Sequence, residues 1–237
     1  MIEYKPNPTR FDLRKIKEQL IQEHAPHKHS FYNNWNLVED SLKNKNLLIT
    51  LVNNEIAGFL SYQELGEKIS INIVEIFPSF RNKGLGRKFI HFALTLFKEK
   101  ENKVCSIFCS PENSEGFWSK IGFQLFPTSL NSNRINMYIP LVSTLISSRN
   151  NASNEVIELW EGEPYEVKNL EPEWIWNVDL LTDSRNLSEP IIFPVDWNWQ
   201  IRYSTDGKEN YIGKIKRSPF KDDFAGDFLF IQQLPNS

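Results

Sequence analysis

One segment in the first half of the chain restricts the possible folds more than any other. A strand-like run with imperfect alternation covers residues 69–77 and stops at Pro78, and a short basic loop then leads into Gly84-Leu85-Gly86. From there to residue 100, apolar residues recur at helical spacing. The segment therefore predicts a strand, a loop broken by proline, and a long amphipathic helix that begins at a pair of glycines.

Strand and helix patterns alternate through the rest of the first half. Strands are predicted at residues 2–4, 47–52, 56–62, 69–77, 104–109, 124–126 and 135–141. Helices are predicted at residues 10–23, 34–42 or 36–42, 84–100 and 113–121. Elements interleaved in this way indicate an α/β or α+β sheet with helices packed on its faces.

The composition changes near residue 150. Bases outnumber acids by five in residues 1–150, whereas acids outnumber bases by eight in residues 151–237, which also hold five of the seven tryptophans. The second part shows only short strand patterns, typical of a small antiparallel barrel or sandwich. We therefore predict a first domain over residues 1–148, a linker over 149–154 and a small β-rich domain over 155–237. Its tryptophans suit either a cationic ligand or the core of a small β fold.

Several locations and partners are disfavoured by the sequence. The longest uncharged stretch, residues 135–148, is shorter than the roughly 20 apolar residues of a membrane-spanning helix. Glu3 and Lys5 stand where a signal peptide would need an apolar core. Cys105 and Cys109 lie four apart in a predicted strand, too far apart to bridge readily. We therefore expect a cytoplasmic protein with no membrane partner.

The start of the long helix has the composition of an anion site. The first amides of a helix have no partner inside it, and they lie at the positive end of the helix dipole. Glycines there allow a phosphate to approach the backbone, and Arg81, Lys83, Arg87 and Lys88 add four positive charges. The loop therefore predicts a pyrophosphate site. We expect no nucleic-acid partner, because this basic cluster is already assigned to the pyrophosphate and the second half of the chain is acidic.

Three phosphate-binding motifs compete for this loop. A P-loop requires Gly-Lys followed by Ser or Thr, but Arg87-Lys88-Phe89 follows the second glycine. A dinucleotide fingerprint requires three glycines and an acid about twenty residues later, and neither is present. The pattern R/Q-x-x-G-x-G/A matches residues 81–86 at every position.

With that motif the sequence resembles the GCN5-related N-acetyltransferase (GNAT) superfamily. A second segment, Asn113-Ser114-Glu115-Gly116-Phe117-Trp118-Ser119-Lys120-Ile121-Gly122-Phe123, is similar to the later helix of that family. The two segments stand in the family's order, with a helix and a strand between them. Over residues 1–141 the resemblance implies a GNAT fold, with a mixed, mostly antiparallel central sheet and helices on both faces, but it does not extend to the small all-β C-terminal domain.

The resemblance implies acetyl-CoA as the acyl donor and no metal. The backbone of Val74, Ile76 and Phe77 would then hold the pantetheine arm. The pyrophosphate would lie on the loop and the helix start, formed by Arg81, Asn82, Lys83, Gly84, Leu85, Gly86 and Arg87. Asn113 would contact the CoA arm, cap its helix, or do both.

The catalytic positions depart from those of better-known family members. The usual general base falls at Asn72 or Ser70, which cannot titrate near neutrality but could hold a water that relays the proton. These two are expected on one strand face with Val74, and Glu75 on the opposite face. The usual acid, a tyrosine, is replaced by Trp118, whose indole can donate a hydrogen bond but not a proton. Trp118, Asn72, Ser70 and Glu75 are therefore the catalytic candidates.

A histidine-rich segment lies between the first two predicted helices, where this fold places the acceptor pocket. His27 and His29 are the candidates for contact with the acceptor, and a solvated loop is the alternative. A metal site is disfavoured, since a loop broken by proline gives its ligands little rigidity.

The resemblance therefore implies an acyl-CoA-dependent N-acyltransferase. It would most simply transfer acetyl to a primary amine by direct attack in a ternary complex, and the acceptor would be a small-molecule or peptide amine. The missing tyrosine also suits an alternative, a non-catalytic acyl-CoA sensor or interaction protein on the same scaffold. A homodimer is compatible with the fold, because its edge strands often pair.

Overall fold

The structure is a computed structural model that describes residues 1–27, 31–131, 134–149, 153–182, 184–220 and 224–235. The chain divides into two compact units. The first holds residues 1–124 and 137–141, and the second holds residues 125–136 and 142–237. Whether residues 1–148 and 155–237 fold as separate domains stays a prediction. No helix in the described ranges is long and apolar enough to cross a membrane.

The first unit is built on a mixed sheet. Seven strands of the described chain form it: β1 (Ile2–Lys5), β2 (Leu47–Val52), β3 (Glu55–Leu65), β4 (Lys68–Ile76), β5 (Val104–Phe108), β6 (Gln124–Leu125) and β7 (Asn136–Pro140). Their order is β1-β2-β3-β4-β5-β7-β6. The pairs from β1 to β4 are antiparallel, whereas β4 and β5 are parallel. The sheet is therefore mostly antiparallel, with a parallel pair near its middle.

The parallel pair separates along its length. β4 pairs with β5 only from Lys68 to Ser70, opposite Val104 to Ser106, as far as the described residues show. Residues 71–76 of β4 continue beyond this pairing. Backbone polar groups that leave a ladder need another partner, either water or a ligand. The separation therefore opens a gap in the sheet beside the end of β4.

Helices cover both faces of this sheet. α1 (Arg10–His27) and α2 (Trp35–Lys43) supply Ile16 and Val38 to a core cluster that includes Phe59 of β3. Side chains alternate along a strand, so Tyr62, three residues further on, lies on the other face. Its ring centroid is 4.8 Å from that of Phe97 in α3 (Leu85–Glu99). α1 and α2 thus lie on one face and α3 on the other, and α4 (Glu115–Ser119) follows β5.

The second unit is β-rich. Its strands are β8 (Glu155–Trp160), β9 (Trp174–Val178), β10 (Asn186–Pro194), β11 (Gln200–Thr205), β12 (Lys208–Lys214), β13 (Phe224–Ala225) and β14 (Phe228–Gln233). They form two sheets, ordered β12-β11-β8-β9 and β10-β14-β13. Both sheets contribute to one core, in which Trp176 and Trp199 are buried. The predicted fold class, a mixed sheet with helices on both faces plus a β-rich C-terminal region, is confirmed.

An ion pair joins Glu155, at the start of β8, to Arg185, just before β10. Glu155 accepts hydrogen bonds from Arg185 at 2.6 Å, from Tyr203 at 2.9 Å and from Thr205 at 2.7 Å. Burial alone would raise the pKa of Glu155, but the hydrogen bonds from Thr205, Arg185 and Tyr203 outweigh it and hold that pKa below its usual value. The cluster therefore stabilises the folded unit through the ionised carboxylate.

Replacing Glu155 by alanine is expected to lower the free energy of unfolding by about 3 kcal/mol, because it leaves the Arg185 guanidinium without its buried partner. Urea unfolding followed by tryptophan fluorescence measures this. A carboxyl with a lowered pKa stabilises the fold above its usual pKa and loses that effect as the pH falls through the lowered value. The difference from wild type should therefore shrink in acid. The exposed Glu189→Ala is the control, and an equal loss in both variants would contradict the prediction.

Candidate active site

A cleft of about 860 Å³ opens where β4 and β5 separate. Its walls are the unpaired end of β4, the loop after it, the first residues of α3, and the segment around α4. The remaining wall of the cleft is formed by residues at the start of α2 and just before this helix, namely Phe31, Asn34 and Leu37. A cleft of this size is within the usual range for cofactor and substrate sites.

The phosphate end of the cleft is formed by the backbone at the start of α3. Gly84 caps the helix with a left-handed φ of +71°, a conformation that favours glycine. No atom lies within 4 Å of the position that a Cβ at Gly84 would occupy. Gly86 is bordered by Ile76 and Phe117, whose nearest atoms are 3.5 and 3.7 Å from its hypothetical Cβ. The loop therefore exposes backbone amides to an open space.

The cations of the loop are held mainly by backbone carbonyls. Lys83 donates to the carbonyl of Ser79 at 2.9 Å, and Arg87 donates to that of Lys120 at 3.2 Å. A carbonyl partner orients a cation but does not neutralise it. The helix dipole and these charges together make this end of the cleft electropositive.

Arg81 is tied to the end of β4. Its Nε donates to the carbonyl of Ile76 at 2.7 Å, and its Nη2 donates to Oε1 of Glu75 at 2.7 Å. Glu75 lies opposite Phe59 in the β3–β4 register, so its side chain is on the face covered by α1 and α2. The first residue of the phosphate motif thus links the loop to a carboxylate at the cleft.

Glu75 is the ionisable group with the most unusual environment in this cleft. Its side chain is only 12% exposed. Burial raises the pKa of Glu75, and the nearby Glu23 of α1 adds to the rise, while the hydrogen bond and charge of Arg81 oppose it without cancelling it. A buried carboxyl with a raised pKa that lines a cleft is a candidate for proton transfer.

Most of the predicted site residues line the cleft. They are Asn72, Val74, Glu75, Ile76, Arg81, Asn82, Gly84, Leu85, Gly86, Arg87 and Trp118. Trp118 is 8% exposed, and its ring packs edge-on against those of Phe117 and Phe123. The structure therefore brings the two motif segments, which lie about thirty residues apart, to one site.

Four predicted residues lie away from the cleft walls. Ser70 is at the end of the β4–β5 pairing, and Phe77 is buried in the core under α1 and α2. Lys83 is exposed on the loop, and Asn113 is exposed in the turn Glu112–Ser114. The neighbouring Ser114 lines the cleft instead. The assigned roles of these four residues stay predictions.

The histidine segment is only partly described. His27 is the last residue of α1, but its side chain lies outside the described part, as does the whole of His29. Contact of either histidine with an acceptor stays a prediction. No group of three or more His, Cys, Asp or Glu residues in the described ranges is arranged to hold a metal ion.

A β-bulge at Asn72 changes the expected faces of β4. Ile71 pairs with Tyr62 and Ile73 with Ser61, so Asn72 is an extra residue between them. Side-chain alternation therefore shifts at this point. The expectation that Ser70 shares a face with Val74 is wrong, because Ser70 falls on the face of Glu75.

Gly58 allows β3 and β4 to approach closely beside this carboxylate. A Cβ at Gly58 would lie 2.3 Å from the carbonyl oxygen of Glu75 and 2.7 Å from Cδ1 of Ile76. We expect Gly58→Ala to lower the free energy of unfolding by about 1–3 kcal/mol, because the end of β4 must move outwards. Denaturant unfolding measures the loss. Gly116→Ala, where the Cβ meets nothing within 4 Å, is the control, and equal stabilities would refute the steric argument.

Sequence comparison assigns the first part of the chain. Residues 11–123 match the model of the acetyltransferase (GNAT) family. These residues form a GNAT domain. The resemblance predicted from the two motifs is confirmed for this segment, while the C-terminal region lies outside the match. None of the curated protein sequences matches the chain.

Two solved structures with TM-scores of 0.50 agree with the GNAT fold. A GNAT-family acetyltransferase from Staphylococcus aureus Mu50 is 15% identical with a TM-score of 0.50, and it aligns over 60% of this chain and 100% of its own. A GNAT-family protein from Desulfovibrio desulfuricans has the same TM-score and coverage at 10% identity. PaiA N-acetyltransferase from Thermoplasma acidophilum, solved with coenzyme A, is 19% identical with a TM-score of 0.47, over 59% of this chain and 99% of its own.

Sequence reasoning missed the other side of the cleft. Glu23, Phe31, Leu37 and Phe80 were not among the predicted site residues, although the last three line the cleft and Glu23 acts electrostatically on Glu75. Phe80 could have been suspected, since it stands next to the first residue of the phosphate motif. Glu23 and Leu37 are ordinary residues of predicted helices, and Phe31 lies between those helices, so only the fold brings them near β4.

Proposed function

We propose that this protein is an acyl-CoA-dependent N-acyltransferase that transfers acetyl from acetyl-CoA to a primary amine. One observation carries the proposal: an amide-lined, electropositive helix start and a buried carboxylate with a raised pKa lie in the same cleft. The GNAT family of residues 11–123 supports it. The first feature suits the donor and the second suits the amine.

The residues present fit acetyl-CoA as a substrate. Its diphosphate would bind the first amides of α3, where Gly84 leaves open space, with Arg87 adding positive charge. Its pantetheine arm carries amide groups that can hydrogen-bond the edge of β4 at Val74 and Glu75, where the pairing with β5 has ended, whereas the carbonyl of Ile76 already accepts from Arg81. The thioester would then lie close to Trp118 and Glu75.

The chemistry requires one proton acceptor. An ammonium bound beside Glu75 gives a proton to that carboxylate, and the neutral nitrogen attacks the thioester carbon. A C–N bond forms, and the C–S bond breaks with its electron pair leaving on sulfur. The second proton that the nitrogen loses passes through water to the thiolate, which gives the amide and free CoA, and Glu75 then releases its proton to solvent. Holding both substrates in one cleft supplies the orientation for this direct attack. Asn72, on the bulge of the same strand, would help to position the amine or a water.

The test is a thiol-release assay with acetyl-CoA and a panel of primary amines, with mass spectrometry to identify the acetylated product. We expect one equivalent of free CoA for each equivalent of acetylated amine. Acetyl-CoA binding without turnover across the whole panel would overturn the transferase proposal and support the acyl-CoA sensor instead. The acceptor class, cytoplasmic location and homodimer stay predictions until measured.

A further inference from the structure

The end of the cleft away from the phosphate loop is lined mainly by apolar side chains. Phe31 and Phe80 line it and pack against the hydrophobic core beneath α1 and α2. Leu37 of α2 also lines it and is 45% exposed. Asn34, just before α2, adds one polar group. This end can therefore take a ligand with a mainly apolar body.

The described charges beside this apolar wall have a negative balance. Glu75 contributes from β4 and Glu23 from α1, and the guanidinium of Arg81 interacts with both. Two carboxylates thus share one cation. Arg81 is already bonded to Glu75 and to the carbonyl of Ile76. An added cation would balance the cluster, whereas an added anion would compete with Glu75 for Arg81.

We infer that the acceptor is a primary amine with an apolar, preferably aromatic, body and no carboxylate beside the amino group, an inference that rests on the proposed transferase function. The ammonium would lie against Glu75. The body would pack against Phe31, Leu37 and Phe80, where the two rings also attract a cation. Small polar amines would lack the apolar contacts, and amino acids would bring a carboxylate to a cluster that already has an excess of negative charge.

The test measures binding, so that it does not depend on turnover. Phenethylamine, ethanolamine and phenylalanine are titrated calorimetrically into the full chain, both alone and saturated with CoA. We expect phenethylamine to bind at least about tenfold more tightly than either of the other two, because only it combines a cation with an apolar body and no carboxylate. Equal or weaker binding of phenethylamine, with or without CoA, would overturn the inference.

Two variants test whether the apolar wall formed by Phe31, Leu37 and Phe80 causes the preference for phenethylamine. Leu37→Ala should weaken phenethylamine binding several-fold and leave ethanolamine unchanged. Leu65→Ala is the matched control, since Leu65 is 46% exposed and lies outside the cleft walls. Equal effects of the two variants would contradict the assignment of the wall. Failure of CoA itself to bind would count against the proposed function, whereas the amine titration without CoA would still decide the ligand class.

Discussion

Replacing Gly84 by tryptophan should reduce the affinity for acetyl-CoA at least about 100-fold. The space around Gly84 is open, and in our account it is the space that the diphosphate fills. An indole there would occupy it and separate the phosphate oxygens from the helix amides. Calorimetric titration of acetyl-CoA into the variant measures the loss, which corresponds to about 2.8 kcal/mol or more of binding free energy.

Gly66→Trp is the matched control for this prediction. Gly66, in the turn between β3 and β4, has a φ of +60°, and a Cβ there also meets nothing within 4 Å. A non-glycine residue costs roughly 1–2 kcal/mol in the left-handed conformation, so both variants should lose similar stability. Only the change at Gly84 should affect the cofactor. Wild-type affinity for acetyl-CoA in Gly84→Trp, or an equal loss of affinity in both variants, would contradict diphosphate binding at this loop.

Replacing Glu75 by glutamine should lower kcat/KM about 100- to 1,000-fold while leaving acetyl-CoA binding unchanged. Positioned proton transfer contributes about that much to enzyme rates. Glutamine keeps an oxygen that can accept the hydrogen bond of Arg81, so the loop should keep its geometry. Steady-state kinetics at saturating acetyl-CoA, with calorimetry as the binding readout, separates the two effects. Wild-type kcat/KM in Glu75→Gln would exclude this carboxylate as the proton acceptor.

The pH dependence gives an independent check of Glu75. A carboxyl with a raised pKa keeps its proton to a higher pH than usual, and only the deprotonated form can accept a proton. In wild type kcat/KM should therefore rise with pH through that raised pKa, and Glu75→Gln should lose this limb. Because Glu23 contributes to the raised pKa, Glu23→Gln should shift the limb to lower pH. An unchanged profile in both variants would contradict the assignment.

The phosphate loop could be predicted because its determinants are local. Arg81, Gly84 and Gly86 lie within six residues. The glycines act through their own backbone and the helix that follows, and the side chain of Arg81 bonds the end of the strand just before it. The same holds for the amphipathic pattern of α3, whose apolar residues are buried as expected. Together with the second motif around Trp118, this local information was enough to indicate the family and the donor end of the cleft.

The acceptor end could not be predicted, because it depends on contacts between distant residues. The bulge at Asn72 has no signal in the sequence, yet it places Ser70 on the face of Glu75. The effect of Glu23 on Glu75 joins positions 52 residues apart. α1 also continues to His27, four residues past its predicted end at Glu23. In the second unit the strands could be predicted, but the pairing of Glu155 with Arg185 could not.

A crystal structure with coenzyme A tests the central claim most directly. We expect the diphosphate oxygens to lie about 3 Å from the backbone nitrogens at the start of α3, with the pantetheine arm along the end of β4. A coenzyme bound elsewhere, or a diphosphate that makes no hydrogen bond to residues 84–87, would contradict it.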